Sequence, residues 1–210
     1  MEGKVTLAAG VPEGVRALSV EQARDAFREA MRGVVEREGV GQLMEWLETT
    51  DFFRAPASTR YHGAYEGGLV QHSVEVFDYL LALDEAFRTD LPLDSVTLCA
   101  LLHDVCKAGM YKTEMRWRKN SRNQWEQYPT YKIDEDYPFG GHGSKSVYLI
   151  QHFVPLTPEE AAAINCHMGA YDQSTYSNPS HTFETYPLSW LLHVADEAST
   201  YMGTGATNNG

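Results

Sequence analysis

From Ser19 to Met202 the apolar residues recur at helical spacing, and one stretch, residues 111–133, breaks the pattern. That rhythm restricts the fold more than any other feature, because a chain patterned at 3.6 residues buries its stripes by packing helix on helix. The first stripe, Ala23, Phe27, Ala30, Met31 and Val34, follows Ser19, with Gln22 placed for a capping box. A short helix is expected over Gln42–Thr49, then a loop from Asp51 to Gly68. Leu69, Val76, Leu80, Leu83 and Phe87 mark the next helix, and Val96, Cys99, Ala100 and Leu102 one from Asp94 to Cys106. Further helices are expected over Ser144–Phe153, from Thr157-Pro158-Glu159-Glu160 to His167, and from Pro187 along Leu188, Leu191, Leu192, Ala195 and Ala198. In residues 111–133, Tyr111, Thr113, Met115 and Trp117 alternate with Lys112, Glu114, Arg116 and Arg118, which is strand spacing with one polar face. The fold class predicted is all-α, a helical bundle of about seven helices with one β-hairpin insertion at about 111–133. Residues 1–60 read as an N-terminal helical extension packed on a main domain, 61–202 as that domain, and 203–210 as a disordered tail.

Charge narrows the partners. The net charge of −12 opposes sequence-independent nucleic-acid binding. Yet Lys107, Lys112, Arg116, Arg118, Lys119, Arg122 and Lys132 face only Glu114 and Glu126 over the same stretch. A positive patch in an acidic protein fits one anionic ligand, with a solvated hairpin as the plainer alternative. No apolar run is long enough to span a bilayer, and the N-terminus does not read as a secretory signal, so no membrane partner and a cytoplasmic location are expected. Cys99, Cys106 and Cys166 lack C-x-x-C spacing and sit in apolar contexts, as buried free thiols do.

The chemistry lies in where the histidines and aspartates fall. His72 stands at a helix start, His103 and Asp104 at a helix end, His142 in a Gly-rich turn and His167 at another helix end. Asp196 stands on an otherwise apolar helix, where an unpaired carboxylate is costly to bury, so it requires a cation. Imidazole and carboxylate together suit one or two divalent metal ions, with Mn, Fe, Co, Ni, Zn and Mg all left open. Asp104 has two oxygens and can bridge two ions. His193 shares a helix face with Asp196 and is a rival ligand, while His152 and His181 read as structural or surface residues.

His72 in GGLVQHS, His103-Asp104 in HDVCK, the GHG and HMG segments, and Asp196 in LHVADE together resemble the H…HD…H…H…D pattern of the HD-domain metal-dependent phosphohydrolases. The resemblance implies that His72, His103, Asp104 and Asp196 hold a first ion, that His142 and His167 hold a second, and that Asp104 bridges. It also implies that Lys107 faces substrate phosphate. Cys106 departs from the glycine usual in that motif, which bears on the local backbone. YHGAYEGGLVQHS is similar to HD domains of bacterial 3′–5′ exoribonucleases. His62 in that segment would approach the site in an electrostatic role toward substrate, with solvent exposure as the alternative.

The function expected is hydrolysis of a phosphate ester or anhydride of a nucleotide by metal-activated water, with Asp104 and Lys107 as catalytic residues. Lys112, Arg116 and Arg118 would add phosphate contacts, and Trp117, Trp125 or Tyr128 a stacking surface. One alternative is a 3′–5′ exonuclease or phosphodiesterase acting on a short single-stranded nucleic acid. Another is a non-catalytic, metal-stabilised module binding a nucleotide or a protein.

Overall fold

A computed structural model describes residues 11–134, 139–171 and 179–204. They form eight α-helices, two short 3-10 turns and one hairpin: α1 Val20–Arg32, α2 Val40–Thr49, α3 Gly68–Phe87, α4 Leu93–Leu102, β1 Tyr111–Lys119, β2 Trp125–Ile133, α5 His142–Gln151, α6 Pro158–Cys166, α7 Pro179–Thr185 and α8 Pro187–Met202. The turns cover Val105–Lys107 and Gly169–Tyr171.

Both sequence-predicted capping boxes form. Ser19 Oγ accepts from the Gln22 N–H, whose side chain accepts from the Ser19 N–H; Thr157 and Glu160 do the same at α6. Helix α3 is the axis of the bundle, packed against α1, α4 and α8, while α8 also rests on α6. Burial on several sides explains why nearly every residue from Gly68 to Leu80 is buried, including polar Gln71, His72, Ser73, Glu75 and Asp78.

The segment before α3 joins the same core. Phe27, Phe52 and Phe53 meet at centroid separations of 5.2–5.3 Å, each buried ring worth about 1.5–3 kcal/mol over leaving it in water. Arg37, between α1 and α2, reaches Glu160 on α6 at 2.6 Å through both guanidinium nitrogens. The thiols of Cys99, Cys106 and Cys166 are free and buried.

The hairpin pairs Tyr111 with Ile133 through to Lys119 with Trp125. Directly paired residues share a face. One face therefore carries Met115, Trp117 and Trp125, and the other Arg116, Arg118 and Tyr128. Both faces are open to solvent along most of their length: Met115, Trp117 and Trp125 are each more than half exposed.

Three local features depart from expectation. Helix α7 has no buried residue and so leaves no apolar stripe to read. His142 is the first residue of α5 rather than part of the turn before it. At the expected disordered tail, Thr204 is buried, its N–H donating to Glu75 at 2.9 Å and its hydroxyl also bonding Glu75; 205–210 lie outside the described residues. None of the described helices is long and apolar enough to cross a membrane.

Candidate metal centre

The ends of α4 and α6 and the middle of α8 meet beside the start of α3. His72 lies in the second turn of α3, where the chain arrives through Gly67 in a left-handed conformation (φ 79°). A Cβ on Gly67 would strike Val20, and one on Gly68 would strike the Gly63 carbonyl oxygen. The diglycine thus lets α3 begin pressed against both α1 and the preceding loop. His103 caps α4 and Asp104 follows it, at φ −107° and ψ 18°, before the 3-10 turn. The change from α-helix to 3-10 turn sends these adjacent side chains toward one point, although on a regular helix they would diverge by about 100°. His167 caps α6, and Asp196 projects from mid-α8.

The separations are those of ligands around a common centre. His72 Nε2 is 3.1 Å from Asp196 Oδ1, 3.8 Å from Asp104 Oδ2 and 3.3 Å from His103 Nε2. His103 Nε2 is 3.4 Å from Asp104 Oδ2, and His167 Nε2 is 3.6 Å from Asp104 Oδ1. Two trios, His72–His103–Asp104 and His103–His167–Asp196, keep their donor atoms within 4.8 Å of one another, and all five residues are buried. His142 falls outside both trios and lines the cavity beside them.

The outer nitrogens of the three imidazoles fix their tautomers. His103 Nδ1 lies 2.8 Å from the Ala100 carbonyl and His167 Nδ1 2.7 Å from the Ile164 carbonyl. A carbonyl only accepts, so each Nδ1 carries a proton, and the ring in its neutral form offers a lone pair at Nε2. His72 reaches the same state by a relay. Ser199 Oγ donates to Glu75 at 3.1 Å, so its oxygen accepts from His72 Nδ1 at 2.9 Å.

Three Nε2 lone pairs and two carboxylates thus converge. His167 Nε2 and Asp104 Oδ1 are buried with no hydrogen-bond partner, and the His72 and His103 lone pairs face each other. Such an arrangement is repulsive without a cation, and its donor set fits a divalent ion with nitrogen and oxygen ligands.

Without an ion the carboxylates favour a proton on His103: burial opposes the charge, but Asp104 and Asp196 raise it above its ordinary value, and a bound cation would take that proton's place. Burial opposes the charged form of Asp104, but Lys107 and His103 overcome it and hold the carboxyl well below its usual range. Burial likewise opposes charge on Asp196, yet His72, whose Nε2 is 3.1 Å away, and the other nearby histidines keep it low. Burial lowers His72. Lys107 Nζ sits 2.6 Å from Asp104 Oδ2, and although burial favours the neutral amine, that carboxylate raises Lys107 above its ordinary value. His62 packs tilted against His72, with 4.8 Å between centroids and 47° between ring planes, and both its ring nitrogens are buried and unpartnered. Burial, then the neighbouring His72 and Lys107, pushes it down to about 3, so it is neutral near pH 7.

Above the cluster opens a cavity of about 720 Å3 lined by His62, Asp104, Lys107, His142 and Asp196 among others. Of the basic residues expected to meet phosphate, Lys107 is therefore on its wall. Lys112, Arg116 and Arg118 are not; they pair with Asp134, Glu114 and Glu126 on the exposed hairpin. Only the hairpin base, Tyr111 and Ile133, reaches the cavity. The rival ligand His193 is held away, its Nδ1 2.6 Å from the His167 carbonyl.

A dihydroneopterin 2′,3′-cyclic phosphate phosphodiesterase of Methanocaldococcus jannaschii is 38% identical to this chain over 61 residues. The match covers 27% of this chain and 24% of that protein, so the chain spans about a quarter of the length of the curated relative it matches. No family model matches the chain, and no solved structure matches it.

Proposed function

We propose that this chain is a divalent-metal-dependent phosphohydrolase of the HD-domain type, acting on a phosphate ester or anhydride of a nucleotide-like molecule. The observation that carries this reading is the convergence of three tautomer-fixed Nε2 atoms and two carboxylates under a cavity walled by Lys107. The partial likeness to a phosphodiesterase supports phosphoester hydrolysis broadly, and its substrate places cyclic phosphodiesters within the range to be tried.

His72, His103, Asp104 and Asp196 would hold a first ion, and His167 with His142 a second, with Asp104 serving both. Ions bound there would supply a deprotonated water near neutral pH and offset charge on the phosphoryl oxygens. The remaining steps belong to the protein. Glu75 and Ser199 keep His72 oriented with its lone pair inward. Lys107 presents an ammonium to the phosphoryl oxygens, where negative charge gathers as the P–O bond breaks. His62, neutral and with one ring N–H to give, lines the same cavity and would donate to an ester oxygen.

The test is a metal analysis joined to a turnover screen over mononucleotides, cyclic nucleotides and triphosphates. Asp104→Ala should lose both metal and turnover; full retention of both would sink this reading. Stepwise shortening of a labelled single strand would instead favour the nuclease reading, for which the Trp117 and Arg118 faces of the hairpin offer an exposed surface.

A further inference from the structure

The cavity is larger than a phosphoryl group requires. About 720 Å3 lies within the roughly 300–1,000 Å3 typical of sites that enclose a whole small organic molecule. Its floor and mouth differ in chemistry. The floor holds Asp104, Lys107, Asp196 and His62. The mouth holds three tyrosines from three separate elements: Tyr61 from the loop before α3, Tyr171 from the second 3-10 turn and Tyr201 from the end of α8. They are 65%, 67% and 67% exposed. Three rings so little covered by protein, gathered at one entrance, offer flat apolar faces to a ligand at small entropic cost.

The charged lining differs as well. The floor pairs the Lys107 ammonium with Asp104 and Asp196, the carboxylates that would hold the ions, whereas the remaining charged residue on the lining is Glu197, one residue beyond Asp196 on α8, with Thr200 also on the wall. A ligand trailing further phosphates outward would bring them against a carboxylate. A ligand trailing a flat nitrogen heterocycle would instead lay its ring on tyrosine and turn its N–H edge to Glu197 and Thr200.

We propose that this cavity selects a phosphate ester with a single phosphoryl group, open or cyclic, carried by a moiety that ends in a planar N–H-bearing heterocycle. Tyr61, Tyr171 and Tyr201 stack on the ring and Glu197 recognises its edge. Placing the phosphate at the floor rests on the phosphohydrolase reading; the aromatic mouth and its acidic rim stand independently of turnover.

The experiment is calorimetric binding to protein dialysed against Mn2+. The probes are the phosphonate analogue of guanosine 5′-monophosphate, whose P–C bond resists hydrolysis, the matching phosphonate of ribose, and the guanosine analogue extended by two phosphates. The guanosine phosphonate should bind at least about ten-fold more tightly than the ribose phosphonate, as stacking of one base provides. Tyr61→Leu and Tyr201→Leu should each shrink that ratio several-fold. The extended analogue should bind more weakly than the simple one, and Glu197→Gln should narrow the gap. Equal affinity for the two phosphonates, tyrosine variants that leave their ratio unchanged, or tighter binding of the extended analogue would each overturn the proposal. Ring-selective binding by a protein that turns over no phosphate ester would uphold the recognition and remove the hydrolase reading. Turnover without ring selectivity would do the reverse.

Discussion

At the scale of single residues, the site depends on side chains that never touch the cluster's centre. Glu75 accepts from Thr204 and from Ser199, and Ser199 in turn accepts from His72. Partners of this kind fix a ligand's tautomer, and their removal typically costs 10–100-fold in metal affinity. Glu75→Gln and Ser199→Ala are therefore expected to weaken Mn2+ binding by about that factor while the helical circular dichroism persists, which a metal titration checks. Lys107→Gln should behave in the opposite way, retaining metal but losing about 10²-fold in kcat, the scale of one electrostatic donor to a transition state. Metal stoichiometry measured beside initial rates separates the two cases. The logic that marked Asp196 as needing a cation, a carboxylate on a buried apolar helix, applies equally to Glu75, three residues after His72. Its partner Ser199 lies 124 residues away, so only folding reveals the relay.

At the scale of elements, helix ends set the geometry, and periodicity reveals where they are. That His103, Asp104 and His167 fall where apolar stripes stop is legible in the sequence; the 3-10 turn that lets His103 and Asp104 converge is not. Nor are the positions of Arg116 and Arg118. Strand alternation puts them on one face of the hairpin, but the pattern cannot tell whether that face meets a cavity or solvent, and here it meets solvent. The aromatic mouth was equally hidden, since Tyr61, Tyr171 and Tyr201 belong to no common element.

Two element-level tests follow from packing and charge. Gly68→Ala would force α3 away from the Gly63 carbonyl. It should destabilise the fold by about 1–3 kcal/mol, as overpacking does, and lower metal occupancy, read by denaturant unfolding and metal content. For Glu160, burial favours the neutral carboxyl, but hydrogen bonds from Arg37, Ser95 and the Thr157 N–H hold it below its ordinary value of 4.5. A depressed folded value means the unfolded chain binds the proton more readily. The contribution is then complete above about pH 4.5 and lost as pH falls through the folded value. The unfolding free energy of wild type should thus decline toward that of Glu160→Gln as the pH is lowered below 4.5; parallel curves would rule the link out.

For the molecule as a whole, side chains of five residues from α3, α4, α6 and α8 and their ends bring potential donor atoms together, so an ion bound there would tie four helices together. Binding to the folded state alone adds stability by mass action, about 2.7 kcal/mol at a hundred-fold excess over Kd. The Tm should accordingly rise with Mn2+ and fall on chelation. The decisive measurement is the metal content of the protein after equilibrium dialysis against Mn2+, alongside Asp104→Ala. The account expects about one to two ions per wild-type chain and a near-complete loss in the variant. A wild-type chain that retains no stoichiometric ion would contradict it.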